Sequence, residues 1–370
     1  MAPPDAISRY DLDRPALAEL LRGEPKYRID QFWAGLYLNL AEPDDMTNLP
    51  QALRTRVSDA APAALAAVAE SVSDDGETVK WLWALADAAQ VETVLMLYPD
   101  RATVCVSSQA GCAMGCGFCA TGQGGFERNL TAGEIVEQVV RASRRARLAG
   151  RRVSNVVFMG MGEPFANYDR TWSATRRIHD ALGISARHIT LSTVGVVPGI
   201  RRLAREALPV NLAVSLHAAN DELRDVLVPL NRRYPLAELA AACQDYRAAK
   251  HRRLSFEWAL IDGLNDGSRH AAELAAYTRP LGAHVNLIPL NPTAGYATRG
   301  TPPEGVRAFA DRLRRLGVNA TIRRTRGTDI DAACGQLRAA HPVSVRPRGS
   351  LDEPTLDTRR ASSARRSHRP

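Results

Sequence analysis

Three thiols stand within eight positions of this 370-residue chain, in the run Cys112-Ala-Met-Gly-Cys116-Gly-Phe-Cys119. Thiols so close together in a long chain without export signals point to metal binding or redox chemistry rather than disulfides. The run directly follows the strand-like TVCVSS, so a strand delivers the chain into a tight glycine-containing loop on which three sulfurs can converge, as iron–sulfur ligation requires. A 4Fe-4S cluster held by Cys112, Cys116 and Cys119 alone would leave one iron free for a ligand from outside the protein. The alternative is zinc, but structural zinc takes four protein ligands, and no fourth Cys or His lies in this loop.

The other chemistry-bearing residues are ambiguous taken singly. Cys105 in TVCVSS and Cys334 in DAACGQL each read as apolar packing residues, and Cys243 in PLAELAAACQDYRAA packs a helix. Glu92 shares a strand face with Val94 and Met96; a lone Glu there is either solvated or, if buried, a group of raised pKa able to accept a proton. Gly162, Glu163 and Pro164 form a turn after NVVFMGM, or offer a carboxylate suited to an ammonium. Ser192, Ser215, His217 and Asn291 carry hydroxyl, imidazole and amide groups at the ends of apolar runs.

Those runs are the positioning elements. TVCVSS, NVVFMGM, HITLSTV, NLAVSLH, LSFEWAL and HVNLIPL read as six strands, with amphipathic helices such as AGEIVEQVVRASRRARLA and TWSATRRIHDAL between most neighbours. The fold class is α/β, a partial (βα)6 barrel at 102–340, whose C-terminal strand ends gather the polar residues as an active-site rim. A further strand, ATIRR, precedes RGTDIDAACGQL. Residues 1–75 read as a small helical domain built from PALAELLRG, YRIDQFWAGLYLN, LPQALRTRVSD and APAALAAVAE. At 76–101, TVKWLWAL and VETVLML flank a turn as a β-hairpin extension.

The formal net charge is +8 with a pI near 9.4, which suits a polyanionic partner. Half of it lies in Arg346–Pro370, where seven arginines face Asp352, Glu353 and Asp357 in a Pro/Ser-rich stretch. Residues 341–370 therefore read as a basic disordered tail, dispensable to the fold. MAPPDAISRYDLDR has no signal-peptide character and no apolar run is of membrane-spanning length, so a cytoplasmic protein is expected.

The CxxxCxxC loop after the first strand of a βα repeat resembles the radical S-adenosylmethionine superfamily. From about Pro25 to Leu337 the blocks CVSSQAGCAMGCGFCATGQGGFERNLTAGEIVEQ, NVVFMGMGEP, LSTVGVVPGI, AVSLHAANDELRDVLVPLN, NLIPLNP and RGTDIDAACGQL resemble the RlmN/Cfr family of RNA adenine methyltransferases. Departures are small: Val194 stands where many relatives carry Ser, and Ala219 where Pro is common.

The resemblance implies methylation at C2 of one adenine of 23S rRNA in the peptidyl transferase centre and of the adenine beside the anticodon of tRNAs. It implies one 4Fe-4S cluster, two S-adenosyl-L-methionine molecules per turnover, a one-electron reductant such as flavodoxin, no membrane partner and a monomer. By resemblance Cys334 carries a methyl group that becomes the new carbon, Cys105 releases product by forming a transient disulfide with Cys334, and Glu92 accepts a proton. Gly162, Glu163, Ser192, Ser215, Leu216, His217 and Asn291 correspond to cofactor contacts.

The helical domain resembles the family's RNA-binding module, with Arg28, Gln31, Phe32 and Trp33 in it available for RNA or for the core. Arg141, Arg144, Arg145, Arg147, Arg151 and Arg152 form a basic cluster that reads either as a phosphate site or as cations favoured at a helix C-terminus. Two rival functions are a C8 methyltransferase of the resistance type, and a metal-stabilised RNA-binding protein without catalysis.

Overall fold

The computed structural model describes residues 7–293, 298–324, 326–333 and 335–337. Cys334 and the basic tail therefore lie outside the described residues.

The chain opens with three helices, α1 (Arg14–Leu20), α2 (Tyr27–Ala34) and α3 (Gln51–Ala60), followed by three strands, β1 (Ala66–Val72), β2 (Thr78–Ala84) and β3 (Gln90–Leu97). The hairpin read from TVKWLWAL and VETVLML is β2–β3, paired antiparallel. β1 corrects the helical reading of APAALAAVAE: it pairs antiparallel with β2, and Glu70 accepts the indole N–H of Trp81 at 2.7 Å. Alanine's helix preference is weak, and here the unpaired edge of β2 offers the backbone a full ladder.

Next come β4 (Ala102–Cys105), β5 (Gln109–Gly111), the short α4 (Ala120–Gln123), β6 (Phe126–Asn129) and the long α5 (Ala132–Leu148). A capping box starts α5, with Thr131 Oγ1 accepting the Glu134 N–H and Glu134 reaching back to the Thr131 N–H. The βα repeat continues through β7 (Val153–Phe158), α6 (Tyr168–Asp180), β8 (Ile189–Thr193), α7 (Val197–Arg205) and β9 (Asn211–Ser215). It ends with α8 (Asp221–Leu227), α9 (Leu236–Lys250), β10 (Leu254–Leu260), α10 (Ser268–Thr278), β11 (His284–Pro289), α11 (Pro303–Arg315) and β12 (Ala320–Ile322).

Ten strands form one sheet in the order β1-β2-β3-β4-β7-β8-β9-β10-β11-β12. From β4 onward every pairing in it is parallel. This is the partial α/β barrel expected, extended at one edge by the antiparallel β1–β3. All seven residues of β10 are buried, as a strand covered on both faces must be. Among the described residues β12 pairs only with β11, so the arc stays open.

The N-terminal helices share this core. Phe32 is fully buried, so it packs rather than offering a stacking face, while the guanidinium groups of Arg14 and Arg177 stand over the Trp33 ring at 5.4 and 5.2 Å. The basic cluster on α5 joins the two parts together. Arg144 bonds Glu42 and the Leu40 carbonyl, Arg147 donates to the carbonyls of Asn39 (2.9 Å) and Leu38 (3.1 Å), and Arg141 pairs with Glu137 at 2.8 Å. The Arg144 and Arg147 guanidinium groups, taken up by Glu42 and by carbonyls of residues 38–40, are engaged within the protein rather than offered as an open phosphate site. No helix among the described residues is long and apolar enough to cross a membrane.

Candidate active site

The C-terminal ends of the parallel strands surround a cavity. Its wall carries Cys112, Cys116 and Cys119 on one side, and Gly162, Glu163, Ser192, Ser215, His217 and Asn291 around the rest. Leu216, fully buried, does not line it; its N–H bonds the Glu257 carbonyl at 3.0 Å and its carbonyl accepts from Arg224 at 3.1 Å.

The cysteine loop is clipped at its base by the small β5–β6 pair. Gly111 sits at φ 71°, and a Cβ there would lie 2.1 Å from the Gly125 carbonyl oxygen, so only glycine allows the approach that lets the Cys112 N–H bond Gly125 at 2.6 Å. Cys119 then begins α4, its N–H held by the Cys116 carbonyl at 3.1 Å.

The donor set fits a multinuclear cluster. The three thiols all line one cavity, as ligation of a 4Fe-4S cluster by this loop would require. Burial pushes the Cys112 thiol up to about 12, with Glu163 and Cys119 adding to the effect. Burial raises Cys116 as well, reinforced by the other two cysteines. Three neighbouring thiolates in so poorly solvated a place need the positive charge of iron beside them.

Glu163 lines this cavity and is also held by the main chain. Its Oε1 accepts the Phe165 N–H at 2.9 Å and its Oε2 the Val194 N–H at 2.8 Å. Burial raises its pKa to about 7 against the opposing pull of those bonds. The carboxylate thus splices the loop after β7 to the loop after β8. Glu257 on β10, which sequence reasoning passed over, is the contrasting acid. It is buried in the same cavity wall, its Oε1 accepts from Ser255 (3.1 Å) and Asn286 (2.8 Å), and its Oε2 has no hydrogen-bond partner among the described residues.

His217 adopts φ 60° and accepts the Ala259 N–H at Nδ1 (3.0 Å), which assigns its proton to Nε2. Burial, helped by Arg224, lowers its pKa to about 3, so the ring is neutral. It packs edge-on against Phe118 in the cysteine loop, 4.7 Å between ring centroids.

A second cavity adjoins the first, sharing Met159, Asn291 and Arg323 with it. Cys105, Val94 and Met96 form its apolar wall, and Arg101, Arg324 and Arg326 give it a cationic character. Glu92 is buried close by and lies 3.1 Å from the Lys80 ammonium, a partner the sequence did not suggest. The segment on either side of position 334 connects the two spaces. Ala333 lines the second cavity, while the Gly335 carbonyl accepts the Ala120 N–H at 2.8 Å and the Leu337 carbonyl accepts the Thr121 hydroxyl at 2.7 Å, next to Cys119.

The Radical SAM superfamily model matches residues 106–275. A crystal structure of a radical SAM methyltransferase from Sphaerobacter thermophilus superposes with a TM-score of 0.88 at 53% identity, covering 90% of this chain and 99% of that one. The dual-specificity RNA methyltransferase RlmN 1 of Myxococcus xanthus is 52% identical, over 92% of this chain and 96% of that protein. A Chloroflexus aurantiacus protein under the same RlmN description is 51% identical, over 91% of this chain and 94% of its own length. The chain belongs to the RlmN family. It is therefore a radical S-adenosylmethionine RNA methyltransferase, with a 4Fe-4S cluster and S-adenosylmethionine as its cofactors. As an RlmN-family fold, its cysteine loop, glycine turn and strand-end hydroxyls all face one cavity.

Proposed function

We propose that this chain methylates C2 of one adenine in the peptidyl transferase centre of 23S rRNA and of the adenine beside the anticodon of tRNAs, using Cys334 as the methyl carrier and Cys105 as the releasing thiol. The observation that carries the reading is the course of the chain around position 334, with Ala333 in the wall of the Cys105 cavity and Gly335 bonded to the cluster loop. A carrier cysteine must serve both places.

Cys112, Cys116 and Cys119 would hold the cluster; Gly162, Glu163, Ser192, Ser215, His217 and Asn291 would bind S-adenosylmethionine, with Leu216 acting through its backbone. The bound cofactors supply a 5′-deoxyadenosyl radical, and two S-adenosylmethionine molecules are used per turnover. Adenine C2 bears hydrogen and no lone pair, so a carbon radical on the Cys334 methyl is the species able to add there. Glu92 accepts the proton displaced from C2 while the adduct's unpaired electron would pass back to the cofactor; the Cys105 thiolate then attacks the Cys334 sulfur, the bond from that sulfur to the new carbon breaks, and the carbon takes up a proton to become methyl as the disulfide forms. The apolar wall of Val94 and Met96 with the neighbouring arginines suits a base with its phosphates.

The N-terminal residues through about 75 bind RNA, 76–101 extend the sheet of the 102–340 barrel, a flavodoxin-like protein supplies electrons, and the enzyme works as a cytoplasmic monomer. Anaerobic reconstitution, reaction with 23S rRNA and tRNA, and mass spectrometry of the digested nucleosides test the reading. 2-Methyladenosine in both RNAs is expected; 8-methyladenosine or no methylated base overturns it.

A further inference from the structure

Lys80 is a charged residue in the interior of a sheet. It stands on β2 with its side chain only 8% exposed, directly opposite Val94 of β3, which in turn stands directly opposite Cys105 of β4. Residues directly opposite one another in antiparallel strands project from the same face, so Lys80 belongs to the face that bears Cys105. Glu92, two positions from Val94, is its diagonal neighbour there.

The ammonium makes two contacts. Nζ is 3.1 Å from Glu92 Oε1, whose side chain is 4% exposed, and it donates to the Asp331 carbonyl at 3.2 Å. Asp331 lies three positions before Cys334 and holds a left-handed backbone at φ 51°, a conformation that persists only where neighbours enforce it. The same β-extension grips this segment elsewhere: the Asp74 N–H bonds Asp329 Oδ2 at 2.8 Å, and Gly327 (φ 65°) packs so closely that a Cβ would come 2.9 Å from Thr78 Cγ2. One cation thus touches both the acid of the hairpin and the strand of chain that leads to Cys334.

Stability alone does not call for it, because a buried ion pair is commonly no better than a pair of apolar residues of the same volume replacing both partners. We infer that Lys80 is a positioning residue, setting the distance between Glu92 and the Cys334 segment so that acid and methyl carrier meet the same base. The inference rests on the roles proposed above for Glu92 and Cys334.

The test uses the full chain with its cluster reconstituted, comparing wild type, Lys80→Met, Lys80→Arg and Cys334→Ala. Two quantities are read: 5′-deoxyadenosine formed, and methyl groups delivered to RNA. Lys80→Met is expected to keep cluster absorbance and S-adenosylmethionine cleavage while the ratio of 5′-deoxyadenosine to methylated base rises at least tenfold. Lys80→Arg, which keeps the charge, is expected to recover part of the coupling. A wild-type ratio in Lys80→Met overturns the inference. If Lys80→Met does not fold, Lys80→Met with Glu92→Gln removes both charges together. That double variant should be soluble and no less coupled than Glu92→Gln alone, and its failure to fold would assign Lys80 a purely structural part. Methylation by Cys334→Ala would instead overturn the underlying mechanism, leaving the two failures distinct.

Discussion

Glu163 accepts the backbone N–H of Val194 at 2.8 Å, tying the loop after β7 to the loop after the adjacent β8 in the wall of the cofactor cavity. With Phe165 donating to its other oxygen, a Gln here must turn its amide N–H toward one of two backbone N–H groups. Glu163→Gln should therefore set an N–H against a backbone N–H and cost about 1–3 kcal/mol. Thermal unfolding should show a lowered midpoint, and equilibrium dialysis a weaker hold on S-adenosylmethionine. An unchanged midpoint would mean the splice is dispensable.

Glu257 leads to the opposite expectation. With Oε2 unengaged among the described residues, its truncation removes an acceptor from the cavity more than a fold contact. Glu257→Gln should retain the cluster's visible absorbance and bind S-adenosylmethionine several-fold more weakly, the loss of about one charged hydrogen bond. Calorimetry under anaerobic conditions checks it; wild-type affinity would exclude a cofactor contact.

For the cysteine loop, Cys112→Ala, Cys116→Ala and Cys119→Ala should each lose the brown absorbance and the formation of 5′-deoxyadenosine. One such variant with a full cluster would remove the ligand assignment.

The two mechanistic cysteines should fail differently. Cys334→Ala is expected to assemble the cluster and yield no methylated RNA. Cys105→Ala is expected to trap the RNA on the protein, visible as a band shift that survives denaturation. Normal turnover by Cys105→Ala contradicts the two-thiol scheme.

His217 sets an acid limit. Its ring is held neutral, with a folded pKa of about 3 against an ordinary value near 6.5, so the unfolded chain takes up a proton that the folded one refuses. The stability involved is fully present above about pH 6.5 and drains away as pH falls toward 3. Denaturant midpoints measured from pH 8 to 5 should fall more steeply for wild type than for His217→Asn, which tolerates the same backbone conformation without titrating.

The barrel strands were legible because each is a run of β-branched and aromatic residues closed by Gly, Ser or Asn, and the cysteine loop because its spacing is specific. β1 was not: Ala66, Ala67 and Ala69 favour helix, and only the free edge of β2 decides otherwise. The arginines of α5 were visible, but not the carbonyls of residues 38–40 that occupy them. Lys80 and Glu257 look like solvent-facing members of alternating strands; nothing in VKW or FEW tells that the sheet is buried on that face. Glu163 shows the same limit: its type suggested a ligand, but nothing near it told that the Val194 N–H, 31 positions on, would bond one of its oxygens.

Among the described residues the sheet ends at β12 without pairing with β4, and the chain after β12 crosses back on single hydrogen bonds, from the Asp74 N–H to Asp329 and from Lys80 to the Asp331 carbonyl, rather than on a ladder. A target nucleotide inside a long RNA has chain leaving it in both directions and no loose end to thread. A side crossed by single hydrogen bonds gives such a strand less to displace than the continuous ladder of a closed barrel would.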